Sequence, residues 1–249
     1  MRLYIIRHGE STNNRLGRQL PYEEYIQKRT YEPPLTELGH RQAHAVAEHL
    51  AKVTVAEHLN GIKASTGYGI TRIYCSAMLR AMQTAQPIQQ ALGINPEVLI
   101  DIHEQGGLFE GHPQDPDSWQ GFPGLTRTEM IERFPGYILP DEITENGWWT
   151  GTYEPWSGCV ERAKRTASRL IQLAEQFAKS DVEEHVALVA HGDFIDRLLK
   201  ALLRQLPGDD FYYIHYNTAI TQVDFPDDGR LVLRYINRTE HFTPELFVE

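Results

Sequence analysis

The chain has 249 residues, of which 41% are hydrophobic and 23% charged, enough for one large or two small soluble globular domains. Its net charge of −10 argues against general binding of nucleic acids or anionic membranes, although a local cationic pocket could still take an anionic small molecule. The two cysteines, Cys75 and Cys159, suit neither a disulfide framework nor a metal site. The short apolar run near the N-terminus fits neither a signal peptide nor a membrane span, so we expect a cytoplasmic protein.

Strand-like and helix-like segments alternate along most of the chain. Short apolar runs indicate the strands, and amphipathic stretches indicate the helices. The predicted strands span residues 3–6, 69–76, 96–100 and 184–192, and the predicted helices span 37–53, 78–92, 157–179 and 193–206. This alternation predicts an α/β three-layer sandwich, in which a mostly parallel sheet carries helices on both faces.

The last two predicted strands differ from the others. Residues 217–225 and 230–237 flank the turn sequence Pro-Asp-Asp-Gly, which is typical of a hairpin. We therefore expect an antiparallel edge at the C-terminal end of the sheet.

Residues 103–156 interrupt the alternation. They are rich in Gly, Pro, Trp and acidic residues and contain one short helical patch, at 127–134. So long an irregular stretch is typical of a functional lid, and we interpret it as a cap on a single domain that spans 1–249. Its aromatic residues argue against disorder. They are expected to form a small core of the cap, unless one or two line a substrate site.

Three of the predicted strands run into polar residues. Arg7 and His8 follow the first strand. Ser76 ends the second strand, with Arg80 one turn later, and His191 and Gly192 end the fourth. Because ligands of parallel α/β sheets bind beyond the carboxyl ends of the strands, we expect two imidazoles and two guanidinium groups to meet at one edge. Guanidinium groups fit phosphate oxygens and helix N-termini favour anions, so the pattern predicts a phosphoryl-binding pocket.

The spacing around these ends suggests further details. Ser76, Arg80 and Thr84 are four residues apart, which places them on one helical face with Ser76 as a candidate cap. Asp193 is expected to cap the helix that follows it. A glycine after each histidine allows the backbone to approach a ligand closely.

Five sequence blocks resemble the histidine phosphatase superfamily, the phosphoglycerate mutase-like proteins. "RHGESTNN" at 7–14 is similar to the signature of the Arg-His-Gly-Glu-Ser/Thr branch. The other blocks are "PLTELGHRQA" at 34–43, "SAMLRAMQTA" at 76–85, "LVAHGDFI" at 188–195 and the two C-terminal strands. The blocks occur in the family's order, and together they extend over nearly the whole chain.

The resemblance implies a metal-independent phosphomonoesterase that acts on a phosphorylated small metabolite through a phosphohistidine on His8. Its other implied catalytic residues are Glu104, which would protonate the leaving oxygen and then activate water, and His191. The implied phosphate ligands are Arg7, Asn14, Arg80, His191 and Gly192. Arginine and histidine supply the positive charge, so we expect no metal and no cofactor.

Two of these assignments have a competing neighbour. Asn13 competes with Asn14, and only the motif spacing separates them. Glu110 competes with Glu104, because the "EQGGLFEG" stretch is one residue shorter than the family's usual spacing.

Two other functions remain open. A mutase would return the phosphoryl group to a bound sugar acid, and "HEQGGL" resembles the mutases, but residues 15–33 do not, so a hydrolase is favoured. A non-catalytic phospho-ligand module is disfavoured because both histidines, both arginines and an acid are present. The cap should set the substrate, and the sequence carries no signal for an oligomeric state.

Overall fold

The computed structural model describes residues 1–52, 54–57, 63–179 and 183–247. The strands are β1 (Arg2–Arg7), β2 (Thr54–Glu57), β3 (Lys63–Thr66), β4 (Arg72–Ser76), β5 (Glu97–Leu99), β6 (Phe109–Glu110), β7 (Gln120–Gly121), β8 (His185–Ala190), β9 (Ile220–Asp224) and β10 (Val232–Arg238). The helices are α1 (Thr12–Gln19), α2 (Tyr22–Lys28), α3 (Glu37–Ala51), α4 (Leu79–Leu92), α5 (Arg127–Arg133), α6 (Trp156–Lys179) and α7 (Gly192–Leu202).

The central sheet has the strand order β10-β9-β1-β8-β4-β5. Strands β1, β8, β4 and β5 pair in parallel, whereas β9 pairs antiparallel with both β1 and β10. The predicted mostly parallel sheet and its antiparallel C-terminal edge are therefore confirmed. The carboxyl ends of β1, β4 and β8 consequently meet at one edge of the sheet.

Helices cover both faces of the sheet, each over its own hydrophobic core. In β1, Tyr4 and Ile6 pack on the side of α3 and α4, while Leu3 and Ile5 pack on the side of α6 and α7. Successive residues of a strand point to opposite faces, so one short apolar run supplies both cores. A strand buried on both faces reads as a continuous apolar run, which explains the sequence "LYII".

The cap predicted at 103–156 is largely irregular, with the β6–β7 pair, a 3₁₀ turn at Pro116–Ser118 and helix α5. Its aromatic residues fall into two groups, one that packs in or against the core of the domain and one that lines a cavity. Trp148 is buried in the core on the α3–α4 side, and Trp149 packs against that core. Tyr153 and Trp156 line a cavity.

Several element bounds differ from the predicted ones. The helix predicted at 193–206 ends at Leu202, because Arg204 takes a left-handed conformation and Pro207 follows shortly after. The helix predicted at 37–53 ends at Ala51, and Val53 lies outside the described residues.

Helices α1 and α2 were not predicted. Neither has a buried residue. Helix α1 has one large apolar residue, Leu16, and the helical spacing of Tyr22, Tyr25 and Ile26 in α2 extends over a single turn. The start of α1 is instead fixed by a capping box. The Asn14 amide donates to the Ser11 hydroxyl, and the Ser11 amide donates to Asn14 Oδ1.

Cys75 and Cys159 are both buried and carry free thiols. Within the described part of the chain, none of the helices has the length and apolar character needed to cross a membrane.

Candidate active site

The two predicted imidazoles lie side by side at the carboxyl edge of the sheet. His8 follows β1 and His191 follows β8, and their ring centroids are 5.1 Å apart. The His8 amide continues the parallel ladder by donating to the Ala190 carbonyl at 2.9 Å. The pairing of β1 with β8 therefore fixes the distance between the two rings.

The hydrogen bonds of His8 define which of its ring nitrogens is available. Nδ1 lies 2.6 Å from the Gly9 carbonyl oxygen, to which it can only donate, so Nε2 carries the lone pair. Nε2 accepts from Arg80 Nε at 3.2 Å. Burial, followed by the charges of Arg80 and Arg7, lowers the pKa of His8 well below its usual value. His8 is thus a neutral imidazole with a potential nucleophile at Nε2.

Gly9 allows three elements to close around His8. A Cβ at Gly9 would lie 2.5 Å from the Gly39 carbonyl oxygen of α3, so no side chain fits there. The Gly9 amide donates to the Thr84 hydroxyl at 2.9 Å, one turn beyond Arg80 in α4. Arg80 and Thr84 therefore share a face of α4, as the spacing predicts.

Ser76 does not cap α4. The N-cap is Met78, whose amide donates to the Ser76 hydroxyl at 3.3 Å. Ser76 is the last residue of β4, and its hydroxyl lies 2.8 Å from Nε2 of His191. The neighbouring strand β4 thus holds the His191 ring, and burial lowers the pKa of His191 well below its usual value.

Arg7 and Gly192 lie against each other at the start of α7. The Arg7 Nη1 atom donates to the His215 carbonyl at 2.5 Å, and its buried Nε has no partner in the described ranges. A Cβ on Gly192 would come within 3.3 Å of that Nε. Glycine at this position therefore leaves room for Arg7 beside the N-terminus of the helix.

Glu104 lies at this site and Glu110 does not. The Glu104 carboxylate accepts from the α7 amides of Phe194 at 2.9 Å and Asp193 at 3.3 Å. Burial and the nearby Asp193 raise the pKa of Glu104 to about 7, although Arg80 opposes the rise. Glu110 belongs to β6 and is not among the residues that line the cavity described below.

Asp193 was expected to cap α7, but His191 holds the N-cap position without a capping hydrogen bond from its own side chain, and the amides of the first turn donate to Glu104. The Asp193 carboxylate instead accepts from the Tyr212 hydroxyl at 2.8 Å. Asp193 therefore ties the segment after α7 to the site.

The two asparagines of the first motif have different partners. Asn14 Oδ1 accepts from Ser11 and from Asn217 Nδ2. The side-chain nitrogen Nδ2 of Asn14 has no partner in the part of the chain described. Asn13 instead donates to the Thr30 carbonyl at 2.8 Å. The free N–H groups of Asn14 suit it better to donate to a ligand.

A cavity of about 450 Å³ opens over these residues. It brings together Arg7, His8, Asn14, Arg80, Glu104 and Gly192, which we call the phosphate end. His191 lies beneath it, against His8. The remaining walls come from residues 22–33, from the cap and from Tyr212.

Sequence reasoning missed several residues of this site, namely Tyr22, Tyr25, Arg29, Tyr212 and Asn217. Asn217 donates to the His8 carbonyl at 2.9 Å as well as to Asn14. The aromatic run "FYYIHY" at 211–216 was a signal, because so many rings in a loop need a surface to contact.

A buried ion pair supports the segment that carries Glu104. Arg162 of α6 donates to the His103 carbonyl at 2.6 Å and to Glu154 at 2.9 and 2.5 Å. Burial opposes ionisation of Glu154, but its contacts with His103 and Arg162 outweigh it and lower its pKa to about 2. The pair therefore joins α6, the end of the cap and the residue before Glu104.

Residues 3–238 match the histidine phosphatase superfamily (branch 1), so the chain belongs to this family. The resemblance predicted from the motifs is confirmed. Among curated proteins, "Probable phosphoglycerate mutase GpmB" of Yersinia pestis is 30% identical over 153 residues, which are 59% of this chain and 58% of the relative. The chain thus matches just over half the length of that relative.

Solved structures of two phosphatases resemble the whole chain. Phosphoserine phosphatase of Entamoeba histolytica, in complex with 3-phosphoglyceric acid, gives a TM-score of 0.56 at 21% identity and covers 96% of this chain and 98% of its own. Mycobacterial glucosyl-3-phosphoglycerate phosphatase, in complex with VO3, gives 0.57 at 22% identity and covers 96% and 99%. At such identities the similarity shows a shared fold.

Proposed function

We propose that the protein is a metal-independent phosphomonoesterase that hydrolyses a phosphorylated small metabolite through a phosphohistidine on His8. The observation that carries the proposal is the state of His8, a neutral imidazole whose Nε2 lies against Arg80 in the cavity. The nearby groups suit a phosphate monoester. Arg7 is a second cation for the phosphoryl oxygens, and Glu104 is a carboxyl group whose pKa is about 7.

In the first step, the phosphoryl group enters the phosphate end. Its oxygens take the N–H groups of Arg7 and Arg80, which releases the Nε2 lone pair of His8 to attack phosphorus. The bond between phosphorus and the ester oxygen breaks as the N–P bond forms. Protonated Glu104 gives its proton to the departing alkoxide, which leaves as the alcohol.

In the second step, the ionised Glu104 takes a proton from water as the water oxygen attacks phosphorus. The N–P bond breaks and inorganic phosphate forms, with His8 neutral and Glu104 protonated again. Tethering of Glu104 to the amides of Asp193 and Phe194 keeps one carboxyl group in place for both steps.

A mutase is the second candidate, and the name of the Yersinia relative favours it. It would form the same phosphohistidine but return the phosphoryl group to a bound sugar acid. A non-catalytic module is disfavoured, because the cavity keeps a nucleophile, two guanidinium groups and an acid together.

The proposal is tested by a screen of phosphate monoesters in excess EDTA. We expect wild type to release inorganic phosphate and to form an acid-labile phosphoenzyme at His8. The His8→Ala variant should do neither, with a loss of about 10³-fold or more. His44→Ala is the matched control, because His44 is an exposed histidine of α3.

Three results would contradict the proposal. Equal phosphate release by wild type and His8→Ala would exclude His8 as the nucleophile. Loss of activity on chelation would show a metal requirement. Interconversion of phosphoglycerates that depends on bisphosphoglycerate and releases no phosphate would establish the mutase instead.

A further inference from the structure

Aromatic rings surround the mouth of the cavity. Tyr22, Trp156 and Tyr212 line it and are 52%, 42% and 47% exposed, respectively. Exposed large rings gathered around a concave site are typical of binding surfaces, because monomeric proteins rarely leave such groups together in water without a use. Deeper in the cavity, Tyr25 and Tyr153 continue the aromatic lining.

Two of the three mouth rings are anchored by a contact that leaves much of the ring exposed. Tyr212 is held at its hydroxyl by Asp193, and the Arg197 guanidinium lies 4.9 Å from the Trp156 ring centroid. A ring that is already fixed loses little conformational entropy when a ligand packs on it. The mouth is therefore prepared to contact a flat group.

The charges of this region offer little to a second anionic group. Among the described residues that line the cavity outside the phosphate end, Arg29 is the one cation. Its Nη2 donates to the Phe109 carbonyl at 2.6 Å, and its guanidinium lies 4.0 Å from the Phe109 ring centroid. One N–H group of Arg29 thus holds the cap, whereas its buried Nε has no partner within the described ranges, and Asp193 adds a negative charge nearby.

We propose that the aromatic mouth, Tyr22, Trp156 and Tyr212, selects phosphate monoesters whose alcohol carries a flat, uncharged aromatic or heteroaromatic ring over phosphorylated carboxylic acids. The proposal rests on the proposed function in placing the phosphoryl group at Arg7, His8 and Arg80. Stacking on the mouth rings supplies the affinity of the alcohol part, and a carboxylate there would meet Asp193 and a single cation, Arg29, that already packs on Phe109.

Calorimetric titration of non-hydrolysable phosphonates measures this selectivity without catalysis. The probes are benzylphosphonate and 4-phenylbutylphosphonate, each beside its cyclohexyl counterpart, which has a similar size but is not flat. 2-Carboxyethylphosphonate and 4-carboxybutylphosphonate represent the acids. We expect the better phenyl probe to bind wild type about fivefold more tightly than its cyclohexyl counterpart, and at least about tenfold more tightly than either acid.

Variants assign the selectivity to the mouth. Trp156→Ala and Tyr22→Ala should each weaken phenyl-probe binding by about fivefold while leaving binding of inorganic phosphate unchanged. Phe247→Ala is the matched control, because Phe247 is 39% exposed but does not line the cavity. It should bind every probe as wild type does.

The inference fails if a carboxylate probe binds as tightly as the phenyl probes, if flat and non-flat probes bind equally, or if neither mouth variant weakens phenyl-probe binding. Hydrolysis of ethyl phosphate, which has no ring and no carboxylate, is measured in parallel. If wild type hydrolyses ethyl phosphate through His8 and the titrations show no preference for rings, only this inference is overturned. If wild type hydrolyses neither ethyl phosphate nor any other monoester, the proposed function is overturned.

Discussion

The phosphate end and the aromatic mouth of the cavity are built in different ways. The phosphate end lies at the carboxyl edge of the sheet, where its His8 and Arg80 are buried and its Arg7, Asn14 and Glu104 are partly buried. The mouth consists of half-exposed rings from α2, from the start of α6 and from the segment after α7. The first is held by the sheet and the second by single contacts.

The difference separates chemistry from selectivity. Groups that act on phosphorus must be held within a fraction of an ångström, which a hydrogen-bonded sheet edge provides. Groups that would recognise the alcohol need only present a surface, and because they lie outside the sheet they can vary without disturbing it. Changes at the phosphate end should therefore affect all esters alike, whereas changes at the mouth should affect some esters only.

Among changes that leave His8 in place, the largest effect is expected from Arg80→Lys. Lysine keeps the charge but loses the Nε–H that contacts His8 and the planar group that binds two phosphate oxygens. We expect kcat to fall by about 10²- to 10³-fold for every phosphate ester. Arg41→Lys, on the exposed side of α3, is the control. A fall confined to one class of ester would contradict the separation of the two ends.

Glu104→Gln should lower kcat by about 10²-fold for alcohols that leave poorly and by much less for nitrophenol. Glu104 must be protonated to donate, so kcat/KM of wild type should fall as pH rises through about 7. The variant should lose that fall. Glu110→Gln should retain it, and if the pattern appears in Glu110→Gln instead, Glu110 is the acid.

Arg162→Met tests the support of Glu104 from the cap side. Removing one partner of a buried ion pair should lower the free energy of unfolding by about 3–5 kcal/mol, and misplacement of Glu104 should lower kcat by about tenfold. Urea unfolding and pH–rate profiles measure the two effects. Arg165→Met, an exposed arginine of the same helix, should change neither appreciably.

The Arg162–Glu154 ion pair also predicts that the free energy of unfolding depends on pH in the acidic range. The folded-state pKa of Glu154 is about 2, below the ordinary value of 4.5, so its ionisation favours the folded state. This stabilisation is complete above about pH 4.5 and is lost as pH falls through 2. In Glu154→Gln, unfolding free energy should therefore decline less steeply over that interval than in wild type.

The smallest effect is expected from Arg29→Gln. Because Arg29 is bound to Phe109, we expect less than about threefold change in kcat/KM, of equal size for ring-bearing and carboxylate esters. A selective loss with 3-phosphoglycerate would show that Arg29 binds a carboxylate. Recognition of anionic groups would then extend from the phosphate end to Arg29.

The sequence predicted the phosphate end much better than the mouth. Arg7, His8, Arg80 and His191 follow apolar strands within a few residues, so local pattern alone places them at one edge. Ser76 was misjudged because its partner, His191, is 115 residues away, and no local pattern shows such a contact. Tyr22 lies on a helix with one turn of apolar spacing and Tyr212 on an irregular segment, so only the folded chain brings them to the cavity.

Strand β1 pairs with β8 on one side and with β9 on the other, and α2 has no buried residue and no side-chain cap. Amides of β1 should therefore exchange with solvent deuterium only when the whole protein unfolds, whereas those of α2 should exchange through small local openings. His8, the proposed nucleophile, should thus follow one of the slowest-exchanging segments, while α2 at the edge of its cavity should open locally many times without moving it.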